Sequence, residues 1–87
     1  MKVVVKTVEV DKEGLSALLD QVVTLFCGVY IYTGKLVGIN DTCVKLEDAS
    51  LVFETGPFSS KEWKLAEKLG PTWYVSTGAI ESFGKLK

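Results

Sequence analysis

The chain contains no histidine and no arginine among its 87 residues, and only two cysteines, two prolines and one methionine. The absence of histidine removes the commonest general base and metal ligand, and with it any Ser-His catalytic pair. Cys27 and Cys43 are too few for a four-ligand zinc site within one chain, and no CxxC is present. They are expected to be two buried free thiols, not a disulfide. The absence of arginine removes every bidentate fork for phosphate or guanine, so any nucleic-acid contact would rest on lysine, backbone amides and aromatic rings. Long hydrophobic runs are also lacking: nothing approaches the roughly 18–20 apolar residues that span a bilayer. Residues 1–10 do not read as a secretory signal, being interrupted by Lys6 and Glu9. A cytoplasmic protein with no membrane partner is the expectation.

Ten lysines against eleven carboxylates give a net charge of −1, and 47% of the residues are apolar. That apolar share is too high for a disordered segment. A domain this small has little core to hold it together, and metals and disulfides are unavailable. The surplus apolar surface is therefore expected to be buried against further copies of the same chain.

The pattern reads as one mainly β domain. Residues 1–10 alternate weakly, with Val3, Val5, Val8 and Val10 apolar, and suggest a strand or arm. Leu15, Leu18, Leu19 and Val22 fall at i, i+3, i+4, i+7, which predicts a helix over 11–20 that Asp11 can cap. From Gln21 the period changes to two, and 21–56 reads as short strands. Gly28 marks a turn or bulge, and Asn40-Asp41 and 47–50 mark turns. Leu36 and Ile39 are expected to point inward. Gly56-Pro57 breaks the pattern. Ser59 to Glu62 has capping-box spacing, and Trp63, Leu65, Ala66 and Leu69 predict a helical insertion over 57–71 that stops at Gly70-Pro71. Residues 72–83 close the chain as a last strand interrupted at Gly78. No acid, base and nucleophile converge anywhere, so a binding protein without catalysis or cofactor is expected.

One helix, then short strands, then a helical insertion before the last strand: this order resembles the Sm-like family. Gly34-Lys35-Leu36-Val37-Gly38-Ile39-Asn40 is similar to the first Sm motif, and Val44 to Asp48 follows it as in the family. Ser76-Thr77-Gly78-Ala79-Ile80 sits where the second motif falls. The resemblance covers roughly residues 12–83 and implies a strongly bent, five-stranded antiparallel barrel of SH3-like form. It also implies a closed homo-oligomeric ring of about five to eight subunits, formed when one strand of each copy pairs with a strand of the next. Leu51, Val52 and Phe53 on one side, with Trp73 and Val75 on the other, are the expected contact.

The same resemblance implies single-stranded RNA in the ring's pore, at Asn40, Asp41, Thr42, Thr77 and Gly78. Three of these differ in chemistry from the family pattern. Thr42 stands at the stacking position and carries no ring, Asp41 adds negative charge, and Thr77 replaces a cation. Two functions stay open: a ring that binds RNA as scaffold or chaperone, and a structural ring that docks a protein partner. Lys61, Lys64 and Lys68 fall at i, i+3, i+7 on the inserted helix and could offer a basic face to phosphates, but with Glu62 and Glu67 nearby they read as a solvated face, and Tyr30 and Tyr32 as strand packing.

Overall fold

The structure is a computed structural model that describes residues 13–87; the strand or arm expected over 1–10, and the start of the expected first helix, lie outside the described residues. Among the described residues five strands form one antiparallel sheet: β1 (Val22–Cys27), β2 (Tyr30–Ile39), β3 (Cys43–Glu54), β4 (Leu65–Ser76) and β5 (Ser82–Gly84). Their order across the sheet is β4-β3-β2-β1-β5, so β4 and β5 are its two edges.

Local chemistry explains the first two turns. Cys27 pairs with Tyr30 across a two-residue loop in which Gly28 has φ 62°. Positive φ at the first loop position alone is the II′ arrangement, whose twist matches the flanking strands. At the β2–β3 connection the Asn40 side chain does the turning. Its Oδ1 accepts from the Thr42 amide at 2.8 Å, the Thr42 hydroxyl at 3.0 Å and the Cys43 amide at 2.9 Å. The Asn40 amide donates to the Cys43 carbonyl at 3.0 Å and closes the ladder.

Two ladder irregularities bend β2 and β3. Between Thr33↔Ser50 and Lys35↔Glu47 the ladder takes up an extra residue on β3. Asp48, at φ 51°, lies in that bulge, and the carbonyl of Glu47 and Cα of Ala49 close on the bare face of Gly34. Between Leu36↔Leu46 and Gly38↔Lys45 the extra residue is on β2. Bulges sharpen twist and let a sheet curl around its own core. That core comprises Val23, Leu25, Leu36, Val44, Leu46, Ala49 and Val75, with Leu15, Leu18, Tyr32, Leu69 and Ile80 packed against it. Thr33, also buried, donates its hydroxyl to the Val23 carbonyl at 3.0 Å.

Several expectations need correction. The predicted helix over 11–20 shrinks among the described residues to one 3-10 turn at Leu15–Leu18. It is bounded by Gly14 at φ 76° and Asp20 at φ 66°, conformations that no helix continues through. The Asp20 amide then donates to the Leu36 carbonyl at 2.6 Å and leads the chain into the sheet. Residues 47–50 are the bulge just described and not a turn, so 43–54 is one strand. No helix occupies 57–71. Residues 55–64 form a loop and Leu65 begins β4. Trp63, Leu65 and Leu69 fit a period of two as well as a helical one. A ladder running from Glu54↔Leu65 to Cys43↔Ser76 outweighs ten residues of weak helix propensity. Gly70 and Pro71 therefore lie inside β4, where an edge strand tolerates a missing amide. The expected strand over 72–83 is divided: β4 ends at Ser76, Thr77–Ala79 is a 3-10 turn, and β5 starts at Ser82. Ile39 faces solvent more than expected, while Leu36 is fully buried. Cys27 and Cys43 are free thiols but half-buried, not fully buried. No helix among the described residues is long and apolar enough to cross a membrane.

Candidate functional site

The β2–β3 turn and the turn after β4 meet at one end of the sheet. The Thr77 hydroxyl donates to the Asp41 carbonyl at 3.0 Å, and the Thr77 amide donates to the Thr42 carbonyl at 3.0 Å. Cys43↔Ser76, the terminal pair of the β3–β4 ladder, sets these two turns side by side. The five residues expected to act together, Asn40, Asp41, Thr42, Thr77 and Gly78, are thus brought into one loop cluster although the turns lie far apart in the chain.

The chemistry of that cluster is modest. Its hydroxyls are engaged within the cluster, Thr42 with Asn40 and Thr77 with Asp41. The Asn40 carbonyl oxygen already serves three donors, which leaves its amide nitrogen and the Asp41 carboxylate as the polar groups facing outward. Neither an aromatic ring nor a cation belongs to the two turns. Lys45 is the nearest lysine along the chain, paired with Tyr74 on β4. Among the described residues no group of three or more Cys, Asp and Glu is placed to hold a metal ion.

The residues expected at a subunit contact divide. Trp73 and Val75 lie on β4, an edge strand among the described residues, but the Val75 side chain is buried in the core and only Trp73 reaches the surface. Leu51, Val52 and Phe53 lie on β3 instead, between β2 and β4, where Leu51 and Val52 are already paired on both sides. Their backbone is not free to accept a neighbour. Among the described residues the second edge is β5, which the expectation did not identify as a separate strand. Apolar surface marks both edges: Trp73 is 38% exposed opposite the buried Leu46, and Phe83 is 42% exposed on β5. A shallow apolar groove of about 210 Å³ runs along β5, lined by Phe26, Phe83 and Leu86 among others.

Tyr30 and Tyr32 sit 6.2 Å apart between ring centroids, tilted by 48°. Tyr32 packs on the core, as strand packing requires, and Tyr30 reaches solvent. Burial raises the Tyr32 phenol above its ordinary value, with smaller contributions from Cys27 and Tyr30. Cys27 is raised chiefly by burial and then by the Glu81 carboxylate. Such a thiol stays protonated at neutral pH and is a poor nucleophile.

A second feature was only partly legible in the sequence, through Lys61, Lys64 and Lys68. The loop 55–64 and the start of β4 stand over the Val22↔Lys35 end of the β1–β2 hairpin. Lys35, Lys61, Lys64, Lys68 and Lys87 gather there around Trp63. The helical spacing of three of these lysines suggested a solvated face; the strand and loop place them around a groove instead.

No family model matches the chain, and no curated protein is significantly similar to it.

Proposed function

We propose that this chain is the subunit of a closed ring of Sm-like type, joined by pairing of β4 of one copy with β5 of the next, and that the loop cluster of Asn40–Thr42 and Thr77–Gly78 faces single-stranded RNA. The strand order carries this reading. Among the described residues it leaves β4 and β5 as the two edges without a partner strand, each with exposed apolar side chains beside it. An unpaired apolar edge is a liability that a neighbour removes. Two different edges meeting head to tail generate a closed ring when the rotation permits. The convergence of the two turns supports the second part.

A specific observation also favours the alternative, a structural ring that docks a protein partner. The hydroxyls of Thr42 and Thr77 are satisfied inside the cluster, and it offers no ring for stacking, an interaction worth about 1–3 kcal/mol per base. Native mass spectrometry tests the assembly, and fluorescence polarisation with labelled oligo-U and oligo-A tests the ligand. A discrete oligomer with micromolar or tighter binding that Thr77→Glu weakens supports the RNA reading. A discrete oligomer without binding at low salt leaves the structural ring. A folded monomer at working concentration overturns both.

A further inference from the structure

Lysine is distributed unevenly over this molecule. Of the seven lysines in the described residues, five line one groove: Lys35 on β2, Lys61 and Lys64 on the loop before β4, Lys68 on β4, and Lys87. Only two of the nine described carboxylates, Asp48 and Glu62, line it with them. The chain as a whole is slightly acidic, so this concentration of positive charge is local. The groove is a wide, open depression of about 830 Å³.

Two of the five cations have partners. Lys64 Nζ lies 3.4 Å from the Glu54 carboxylate, with both side chains well exposed. Lys87 Nζ donates to the carbonyls of Thr55 at 2.6 Å, Pro57 at 2.9 Å and Glu62 at 2.9 Å. It also lies 4.7 Å from the centroid of the Trp63 ring, a cation–π contact that fixes the indole in the groove wall. Lys35, Lys61 and Lys68 make no ion pair among the described residues.

We infer that this groove is a binding site for the phosphate backbone of a single-stranded nucleic acid, with Lys35, Lys61 and Lys68 neutralising phosphates and Trp63 contacting a base. Lysine is a point-charge phosphate binder, and a cationic groove with an aromatic side chain in its wall is the combination that tracks a flexible strand. An acidic peptide would use the charges and have no use for the indole, which is why the nucleic acid is preferred. The site is distinct from the loop cluster. Its loop lies at the Glu54↔Leu65 end of the β3–β4 ladder, whereas the cluster lies at the Cys43↔Ser76 end, eleven residues along β3, and the two share no residue. The inference does not depend on a ring. If one forms, β5 has three residues and β4 twelve, so pairing with the Trp73 end leaves the Leu65–Lys68 end uncovered.

The test is fluorescence polarisation of a labelled 12-nucleotide oligo-U against the full chain, between 50 and 300 mM salt. The single-strand slope of about 0.7 per phosphate predicts that Lys61→Gln with Lys68→Gln lowers the salt slope by about 1.4 and weakens binding about 25-fold at 0.1 M. Both residues are exposed, so the double variant keeps the fold, and circular dichroism verifies this. Tryptophan emission is quenched on binding, and Trp63→Phe abolishes that quench. Loss in the lysine variant with Thr77→Glu unaffected supports the groove and counts against the loop cluster. Loss in Thr77→Glu with the lysine variant unchanged overturns the groove and supports the cluster. Wild-type binding in both variants, or no binding by the wild type at 50 mM salt, overturns both. An oligo-glutamate that binds equally well, without quenching the indole, overturns the nucleic-acid assignment in favour of an acidic protein.

Discussion

Replacing Gly34 with alanine tests whether the curled sheet depends on a bare backbone at one point. A Cβ at Gly34 would stand 3.1 Å from Cα of Ala49, 3.1 Å from the Glu47 carbonyl oxygen and 3.2 Å from Cβ of Leu46. Ordinary contacts are a few tenths of an ångström longer. Two of the three atoms belong to the β3 backbone, which is fixed by ladders to β2 and β4 and cannot turn aside as a side chain does. Overpacking of this kind costs about 1–3 kcal/mol. Against it stands the lost freedom of the unfolded chain, worth about 0.4–1 kcal/mol in favour of alanine. The expected net effect is a destabilisation of about 1–2 kcal/mol. Gly38 supplies the internal comparison. A Cβ there meets only Cβ of Lys45 at 3.5 Å, an ordinary contact, so Gly38→Ala keeps the entropic gain and leaves stability unchanged or raised by up to about 1 kcal/mol. Urea denaturation followed by tryptophan fluorescence at one fixed protein concentration measures both. With a slope near 1 kcal/mol per molar urea, the two midpoints are expected about 2 M apart. If Gly34→Ala is as stable as the parent, or if the two variants shift alike, the close approach at the bulge is not what holds the bend.

Three further outcomes are expected. Leu46→Ala removes a fully buried side chain from the centre of the core and lowers stability by about 2–5 kcal/mol, measured by the same denaturation. Lys87→Ala deletes three hydrogen bonds to the 55–62 loop and the contact over Trp63. It costs about 1 kcal/mol and accelerates amide exchange across 55–64 ahead of the sheet, as hydrogen-exchange mass spectrometry will show. Stability falls as pH rises above about 9. Cys27 and Tyr32 both titrate above their ordinary values of 9.0 and 10.0 in the folded chain. Over that window the unfolded chain has lost protons that the folded one retains, so stability fully present below pH 9 declines. Cys27→Ala removes the earliest part of the decline, read from urea midpoints at pH 8, 9 and 10.

Signals that act within a few residues were legible in the sequence. Gly28 and Asn40 each make their turn from their own conformational preference or side chain, and the turns fall where the residues stand. The alternation from Val23 onward specified β1 and β2 for the same reason. Where a distant partner decides, the reading failed. Trp63, Leu65 and Leu69 satisfy two periods at once, and only pairing with β3 selects the extended one. Asp48 carries turn chemistry but is used in a bulge, because β2 lies alongside without a break. Leu51–Phe53 was placed at an edge by resemblance alone, although its apolar run suits a strand covered on both sides, as β2 and β4 cover it. The junction of Asn40–Thr42 with Thr77–Gly78 was visible only through resemblance to known motifs. The lysine groove was hidden because its members come from β2, a loop, β4 and the chain's last residue.

The pairing of β1 with β5 has a consequence for how the chain folds. Thr24 and Gly84, about sixty positions apart, are joined by a ladder of only three residue pairs. The hairpins β1–β2, β2–β3 and β3–β4 close over shorter loops and have longer ladders, so they form before so large a loop is closed for so few bonds. Docking of β5 is thus the last event of folding and the first to reverse. The edge that a neighbouring copy would recognise comes into being only at that step. Capture by a neighbour would hold β5 in place, so protomer concentration would govern the completion of the monomer itself as well as the size of the assembly.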